Sequence, residues 1–298
     1  MDIRVLKYFL AVAREQSFSV AAQRLYLSQP TLSRQLKELE EELGKTLFVR
    51  SSKGVTLTEE GMLLRTRAEQ IVALMEKTER EVRQSDDHIA GTVYIGAGES
   101  YAVKLVAHTA RRIMTHHPDI HYSIYSADGA DVLDRLDKGL IDFGIVFQNV
   151  DASKYESMEI PLKDTFGVLM RKDSPLAAKD KITFFDLKGQ PLLIPRQPNH
   201  NTIISDLIKN NENDLNVFSE YNLVYNGSVM VSEGMGYAIT FDKLINVTGD
   251  SPLCFRPLDP PIEARSLFVW KRYSVLTKAA SKFLDQFRHD IENYQWQK

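Results

Sequence analysis

Leu32, Leu36, Leu39 and Leu43 stand four, three and four residues apart, the interval at which side chains line one side of an α-helix. The helix they define, "SQPTLSRQLKELEEELG", therefore has a core-facing stripe and a free opposite face. At roughly 100° per residue, Pro30, Arg34 and Lys37 lie opposite the leucines, with Thr31 and Ser33 on the flanks. Ser28 is placed to cap the first turn, where Pro30 is tolerated because no intrahelical bond needs its missing N–H. Gln29, Pro30, Thr31, Ser33 and Arg34 are then presented outward. Arginine pairs bidentately with guanine and glutamine with adenine; serine and threonine hydroxyls bond several acceptors, and the proline ring packs on a thymine methyl. Acids begin only at Glu38, beyond the part of the helix that DNA would touch.

What precedes this helix fits the same reading. "DIRVLKYFLAVAREQ" carries Val5, Phe9 and Val12 on one face, flanked by Leu6 and Ala13, and "SVAAQRLYLS" is a short second helix in which Ala21, Ala22 and Leu25 leave room for a neighbour. A short helix, a tight turn and a helix with a polar N-terminal face form a helix-turn-helix, whose second helix enters the major groove. "LFVRSSKGVTL" follows as two β-rich runs around a turn ending in Gly54, with Arg50 and Lys53 flanking the tip, in reach of phosphates or the minor groove. Residues 1–58 hold nine Lys/Arg against six Asp/Glu, although the whole chain carries a formal net charge of −3. A basic face on an acidic molecule suits phosphate binding without making the chain a nucleic-acid coat.

The 298 residues suffice for more than one domain, and 43% hydrophobic with 26% charged residues predicts a packed core. No apolar run is long enough for a membrane span, and charges interrupt the first sixteen residues as they would not in a secretory leader, so a cytoplasmic protein with no membrane partner is expected. The single cysteine, Cys254, is expected to pack as a small hydrophobe beside Phe255.

Residues 59–90 read as one long linker helix, with Thr58 as N-cap and Glu59 and Glu60 in its first turn. Leu64, Ala68, Ile71, Met75, Thr78 and Val82 alternate at four and three, the seam of a thin coiled coil, so a homo-oligomer is expected. From residue 91 onward strand-like runs ("TVYIGAG", "IHYSIYS", "DFGIVF", "FGVLMR", "PLLIP", "YAITF", "RSLFVW") alternate with helices, and the chain closes on an amphipathic helix, "SVLTKAASKFLDQFRHDIENY". This half is α/β.

In such folds ligands sit beyond the carboxyl ends of strands, where helix starts attract anions. Ser100, Tyr101, Asp128, Gln148, Arg196, Gln197, Asn226 and Ser228 fall after strands or before a helix and are the candidate ligand contacts. Arg196 and the Ser100 helix start favour a small anion, whereas Asp128 favours a cationic or hydroxylated group. "YIGAGES" lacks the third glycine of a dinucleotide fingerprint, and no nucleophile elbow supports a catalytic serine, so no enzyme, cofactor or catalytic residue is expected. "HHPDIH" clusters histidines at the passage from a helix into a strand, and no metal is assigned to it. A second possibility is a solute-binding or enzymatic α/β domain whose N-terminal helices only mediate assembly. DNA-binding assays at varied salt separate the two.

"FSVAAQRLYLSQPTLSRQLKELEEELGKTLFVRSSKGVTLTEEG" resembles, nearly residue for residue, the N-terminal signature of LysR-type transcriptional regulators, and "LIDFGIVF" and "VSEGMGYAIT" resemble their effector-binding half. The resemblance covers essentially the whole chain. It implies a winged helix-turn-helix (residues 1–58), a linker helix (59–90) and a two-lobed α/β domain (91–298) similar to type 2 periplasmic binding proteins. Lobe I would comprise about 91–161 and 267–298, and lobe II about 162–266. It further implies dimers or tetramers on double-stranded promoter DNA, a small-molecule inducer between the lobes, and an effect on RNA polymerase. Lys53 stands where the family has arginine: it keeps the charge but loses the planar fork.

Overall fold

The computed structural model describes residues 1–51, 54–82, 89–147, 149–196 and 215–293. The chain divides into two compact units, Met1–Gln84 and Ser85–Lys298.

The first unit opens with α1 (Ile3–Glu15), α2 (Phe18–Arg24) and α3 (Gln29–Leu43), each capped at its start by its own sequence: Asp2, Ser17 and Ser28 accept from Arg4 N, Val20 N and Thr31 N. Helix α3 stops at Gly44, whose φ of +63° is the left-handed conformation that glycine adopts without steric cost. Leu32, Leu36 and Leu39 are buried, and burying each contributes roughly 1.5–3 kcal/mol. Leu43, expected on the same stripe, is 41% exposed, because it is the last helical residue and lies beyond the reach of α1 and α2. Ala21 and Ala22 are buried to allow the helices to approach, and Phe9 and Phe18 pack on Phe48 with ring centroids 5.2 and 5.5 Å apart.

Strands β1 (Phe48–Ser51) and β2 (Gly54–Leu57) pair antiparallel, Phe48 opposite Leu57 and Ser51 opposite Gly54, and form the wing. Helix α4 (Glu59–Val82) begins under the expected cap, Thr58 Oγ1 accepting from Gly61 N at 3.0 Å. A Cβ on Gly61 would stand 2.2 Å from the Leu47 carbonyl oxygen, so only glycine admits this contact between α4 and the entry to the wing.

Helix α4 corrects the expected dimer seam. Ala68 is wholly buried in the core of the first unit, and Leu64 and Val72 pack against it. These positions are therefore spent on α1 and its neighbours. Apolar groups left exposed on α4 are Met62, Leu63, Ile71, Leu74 and Val82. A regular spacing alone does not say which partner it faces.

In the second unit, β3 (Gly91–Ala97), β4 (Ile120–Ser126) and β5 (Phe143–Val146) are parallel in the order β4-β3-β5, and β12 (Glu263–Lys271) joins antiparallel beside β5. Helices α5 (Val103–Met114), α6 (Gly129–Asp137) and α8 (Lys278–Asn293) belong to this lobe, and Phe143, Phe268, Phe283 and Phe287 stack within its core. The second lobe holds β7 (Ile182–Thr183), β8 (Pro191–Pro195), β9 (Asn216–Tyr221), α7 (Val224–Ser232), β10 (Tyr237–Phe241) and β11 (Leu253–Asp259).

One long strand, β6 (Tyr155–Arg171), joins the lobes: Tyr155–Thr165 pairs with β12, and Phe166–Arg171 with β10 and β11. The chain thus crosses between lobes at Asp164–Thr165 and again at Ile262–Glu263, where Phe166 N donates to Ile262 O at 2.8 Å. Every strand-like run read from the sequence is a strand or part of one. Beyond them lie the first half of β6, whose charges and Pro161 obscure its alternation, together with β7, β9 and β11.

Candidate nucleic-acid interface and ligand cleft

On the first unit, Gln29, Pro30, Thr31, Arg34 and Lys37 are all exposed along α3, and Ser33 is half-buried. Ser28 Oγ holds Thr31 twice, accepting from its N–H at 3.3 Å and lying 2.7 Å from its hydroxyl. Thr31 is therefore part of the cap as well as of the face. Arg34 approaches Glu38 at 3.8 Å and Lys37 approaches Glu41 at 3.5 Å. Pairs this exposed are worth little, and the basic partner precedes the acid, the less favourable order on a helix. Both cations are available to a stronger anion such as phosphate.

The acid run "ELEEE" has a use that sequence reading missed. Glu40 Oε1 accepts from Leu47 N at 2.6 Å and Phe48 N at 3.2 Å, and so ties the end of α3 to the start of the wing. Arg50 reaches back in the other direction. Its guanidinium lies over the Phe18 ring, 4.1 Å from the centroid, and Nη2 donates to Ser33 Oγ at 3.1 Å. Lys53 lies outside the described residues.

On the second unit, Ala97 is in register with Ser126 and Ile145, so β3, β4 and β5 end along one edge. Ser100, Tyr101 and Asp128 follow that edge. Ser100 Oγ accepts from Ala102 N at 3.2 Å, and Asp128 caps α6 by accepting from Ala130 N and Asp131 N. In the second lobe β8 and β10 run parallel, which puts Arg196 and Phe241 at the same end. Arg196 is exposed, with its backbone N–H donated to Tyr221 O. Asn226 and Ser228, expected ahead of a helix, lie within α7, which starts at Val224; Ser228 Oγ donates to Tyr225 O inside that helix. Gln148 and Gln197 lie outside the described residues.

Two contacts bring these strand ends together across the lobes. Phe147 and Phe241 pack with centroids 5.1 Å apart, and Glu99 Oε2 accepts from Val224 N, the first N–H of α7, at 2.5 Å. Leu223 supplies no side-chain cap, so a carboxylate from the other lobe satisfies this helix start. Nearby, Asp164 Oδ1 accepts from Tyr101 N at 2.8 Å while its Oδ2 has no partner among the described residues. Burial pushes this carboxyl up to about 6, opposed by the Tyr101 N–H and reinforced by the neighbouring Asp242 carboxylate. Asp242 accepts from Thr165 N at 2.9 Å, and the Lys243 and Lys104 ammonium groups each stand 5.0 Å from the Tyr101 ring centroid. Glu99 was legible only as the residue after "GAG" at a strand end; nothing local marks it as the cap of a helix 125 positions away.

The described residues include no helix long and apolar enough to cross a membrane and no group of three His, Cys, Asp or Glu that could hold a metal ion. The two units define a winged helix-turn-helix followed in the chain by a two-lobed α/β domain.

Comparison with known proteins places that class in a family. The profile described as "Bacterial regulatory helix-turn-helix protein, lysR family" matches residues 3–62, and "LysR substrate binding domain" matches residues 86–292. The HTH-type transcriptional regulator BsdA of Bacillus subtilis (strain 168) is 30% identical over 96% of this chain and 100% of its own length. CbnR, a LysR family transcriptional regulator, superposes with a TM-score of 0.77 at 17% identity, covering 98% of this chain and 99% of CbnR. Full-length CbnR in complex with its target DNA superposes with a TM-score of 0.75 at 17% identity, covering 97% of this chain and 99% of that one. The chain belongs to the LysR family: it is a DNA-binding transcriptional regulator with a substrate-binding domain.

Proposed function

We propose that the chain binds double-stranded promoter DNA in a sequence-specific manner as a homodimer or homotetramer, and that a small anionic metabolite held between its lobes modulates this activity. Gln29, Pro30, Ser33 and Arg34 read base edges, while Thr31, Lys37, Arg50 and Lys53 hold the backbone or the wing. The carrying observation is the outward face of α3: exposed hydrogen-bonding groups at the helix start, weakly paired cations beyond them, and buried leucines behind. Solvent alone places no demand on such an ordering, whereas a groove lined by phosphates does. Two copies on one DNA address two half-sites and gain affinity through effective concentration. The exposed Ile71, Leu74 and Val82 offer α4 as the contact between copies.

Supporting an anionic effector, the α7 start accepts a carboxylate, Glu99, and Arg196 lies exposed at the end of β8. An anion that takes the α7 N–H must displace Glu99, and the two lobes then exchange one tie for another. Closing on ligand favours one arrangement of the oligomer only if the ligand binds the arrangements unequally; the outcome is altered DNA bending and polymerase access.

For DNA, the test is Arg34→Ala on fragments enriched by binding to the full-length protein. Affinity for the enriched site is expected to fall by ~1–3 kcal/mol, with far less loss on random DNA. Equal losses on both refute a reading role. For the effector, the full chain is heated with panels of carboxylates, neutral compounds and amines. Stabilisation by amines or neutral compounds and by no carboxylate sinks the anionic assignment.

A further inference from the structure

The contact between wing and recognition helix has a chemical direction. An arginine side chain offers N–H donors and no acceptor. Because Arg50 Nη2 donates to Ser33 Oγ at 3.1 Å, the Ser33 oxygen is the acceptor, and its own proton must point elsewhere. A serine within a helix commonly returns that proton to the carbonyl one turn back. Thr66 and Thr78 do so on α4, bonding Met62 O and Leu74 O, but among the described residues Ser33 has no such bond. The guanidinium is itself held in place. Its Cζ lies over Phe18, a buried ring packed against Phe48, and among the described residues no carboxylate pairs with it. A planar cation stacked on an aromatic face keeps its orientation in a way that a lysine ammonium cannot.

We propose that Arg50 is a positioning residue that sets the specificity of Ser33: by taking one lone pair of the hydroxyl oxygen and placing a cation beside it, it turns the Ser33 proton away from itself and biases the hydroxyl toward donating in the major groove. A free serine hydroxyl pairs with donors and acceptors alike and so discriminates weakly. A serine biased toward donation favours base edges that offer an acceptor, namely purine N7, guanine O6 or thymine O4, over the cytosine and adenine amino groups. The charge on Arg50 also polarises the hydroxyl and strengthens the bond it makes. Arg50 thereby acts on one base position without touching a base. The inference rests on the proposal that α3 reads DNA.

The test compares full-length wild type, Ser33→Ala, Arg50→Ala, Arg50→Lys and the double variant Ser33→Ala/Arg50→Ala by enrichment from random DNA, with thermal melting to confirm that each is folded. Ser33→Ala identifies the base pair read by Ser33 as the one position where preference is lost. Arg50→Ala is expected to lower preference at that same pair by about fivefold, the worth of one ordinary hydrogen bond, and to leave the other positions unchanged. Arg50→Lys retains the charge and is expected to lose the preference nearly as fully, and the double variant to lose no more than Ser33→Ala alone. Replacing the purine read there by its 7-deaza analogue, or its guanine by inosine as a control that keeps O6 and N7, locates the accepted atom on the base. If Arg50→Ala weakens enriched and random DNA equally, lowers the salt slope by about one unit and leaves base preference intact, Arg50 is a phosphate contact and the inference fails. A preference for an amino group at the Ser33 position overturns it as well. Wild-type protein that enriches no sequence at all instead removes the DNA reading on which it stands.

Discussion

Helix α3 closes its first turn with its own residues, Ser28 Oγ accepting from Thr31 N at 3.3 Å, whereas α7 has no cap of its own and takes the Glu99 carboxylate from the other lobe at 2.5 Å. Both helices meet the same demand, a partner for an N–H that the helix cannot satisfy. The consequences differ. A local cap lets the first turn of α3 form without help from residues distant in the chain. A remote cap makes the start of α7 depend on the other lobe: the bond to Val224 N exists only while Glu99 stands beside it. The α5 start shows the remote arrangement a second time, with Tyr101 N bonded to Asp164 on the crossing strand.

Three measurements break or sharpen this contrast. The largest expected effect belongs to Asp164, whose folded-state carboxyl is raised to about 6 by burial. A raised carboxyl contributes stability that is fully present below its unfolded value, about 4, and is lost as pH climbs through about 6. Asp164→Asn keeps the acceptor for Tyr101 N and cannot ionise. Wild type is expected to lose on the order of 2 kcal/mol relative to this variant between pH 4 and pH 7, read from paired denaturant titrations. Identical pH profiles for the two proteins would show that the crossing point does not carry a strained charge.

Smaller, and confined to the first unit, is Ser28→Ala. Loss of this cap is expected to cost ~1 kcal/mol, seen as earlier hydrogen exchange of the first turn of α3, with the α/β unit unchanged. Smallest is Glu99→Gln, which keeps a neutral acceptor and removes the charge. Exchange at the Val224 amide is expected to quicken severalfold, with a melting shift of about a degree. Carboxylates that stabilise the wild-type chain should stabilise this variant more, since their competitor is weaker. An unchanged Val224 amide would mean that the remote cap contributes nothing.

How far each part was readable from the chain follows the same division. The leucine stripe except for Leu43, the Ser28 cap, the Pro30 turn and the Thr58 cap involve neighbours within about one helical turn, and they stand in the structure where the pattern put them. Leu64 and Ala68 were equally periodic and were assigned to the wrong neighbour, because a spacing reports a face and not what packs on it. The Glu40 tie to the wing and the Arg50 bridge to Ser33 span 7 and 17 residues, and no local rule marks either. In the cleft the strand ends were legible as places, while the bonds that join them, Glu99 to Val224 and Asp164 to Tyr101, were not.

The sequence by itself determined the helices of the first unit, their local caps, the polar outward face of α3 and the family, since periodicity and turn chemistry act between residues a few positions apart. Tertiary structure alone decided which side of α4 is spent on its own core, which residue bonds the Ser33 hydroxyl, and which carboxylate stands at the start of α7. Those are contacts between residues distant along the chain, and they exist only once packing has brought the elements together.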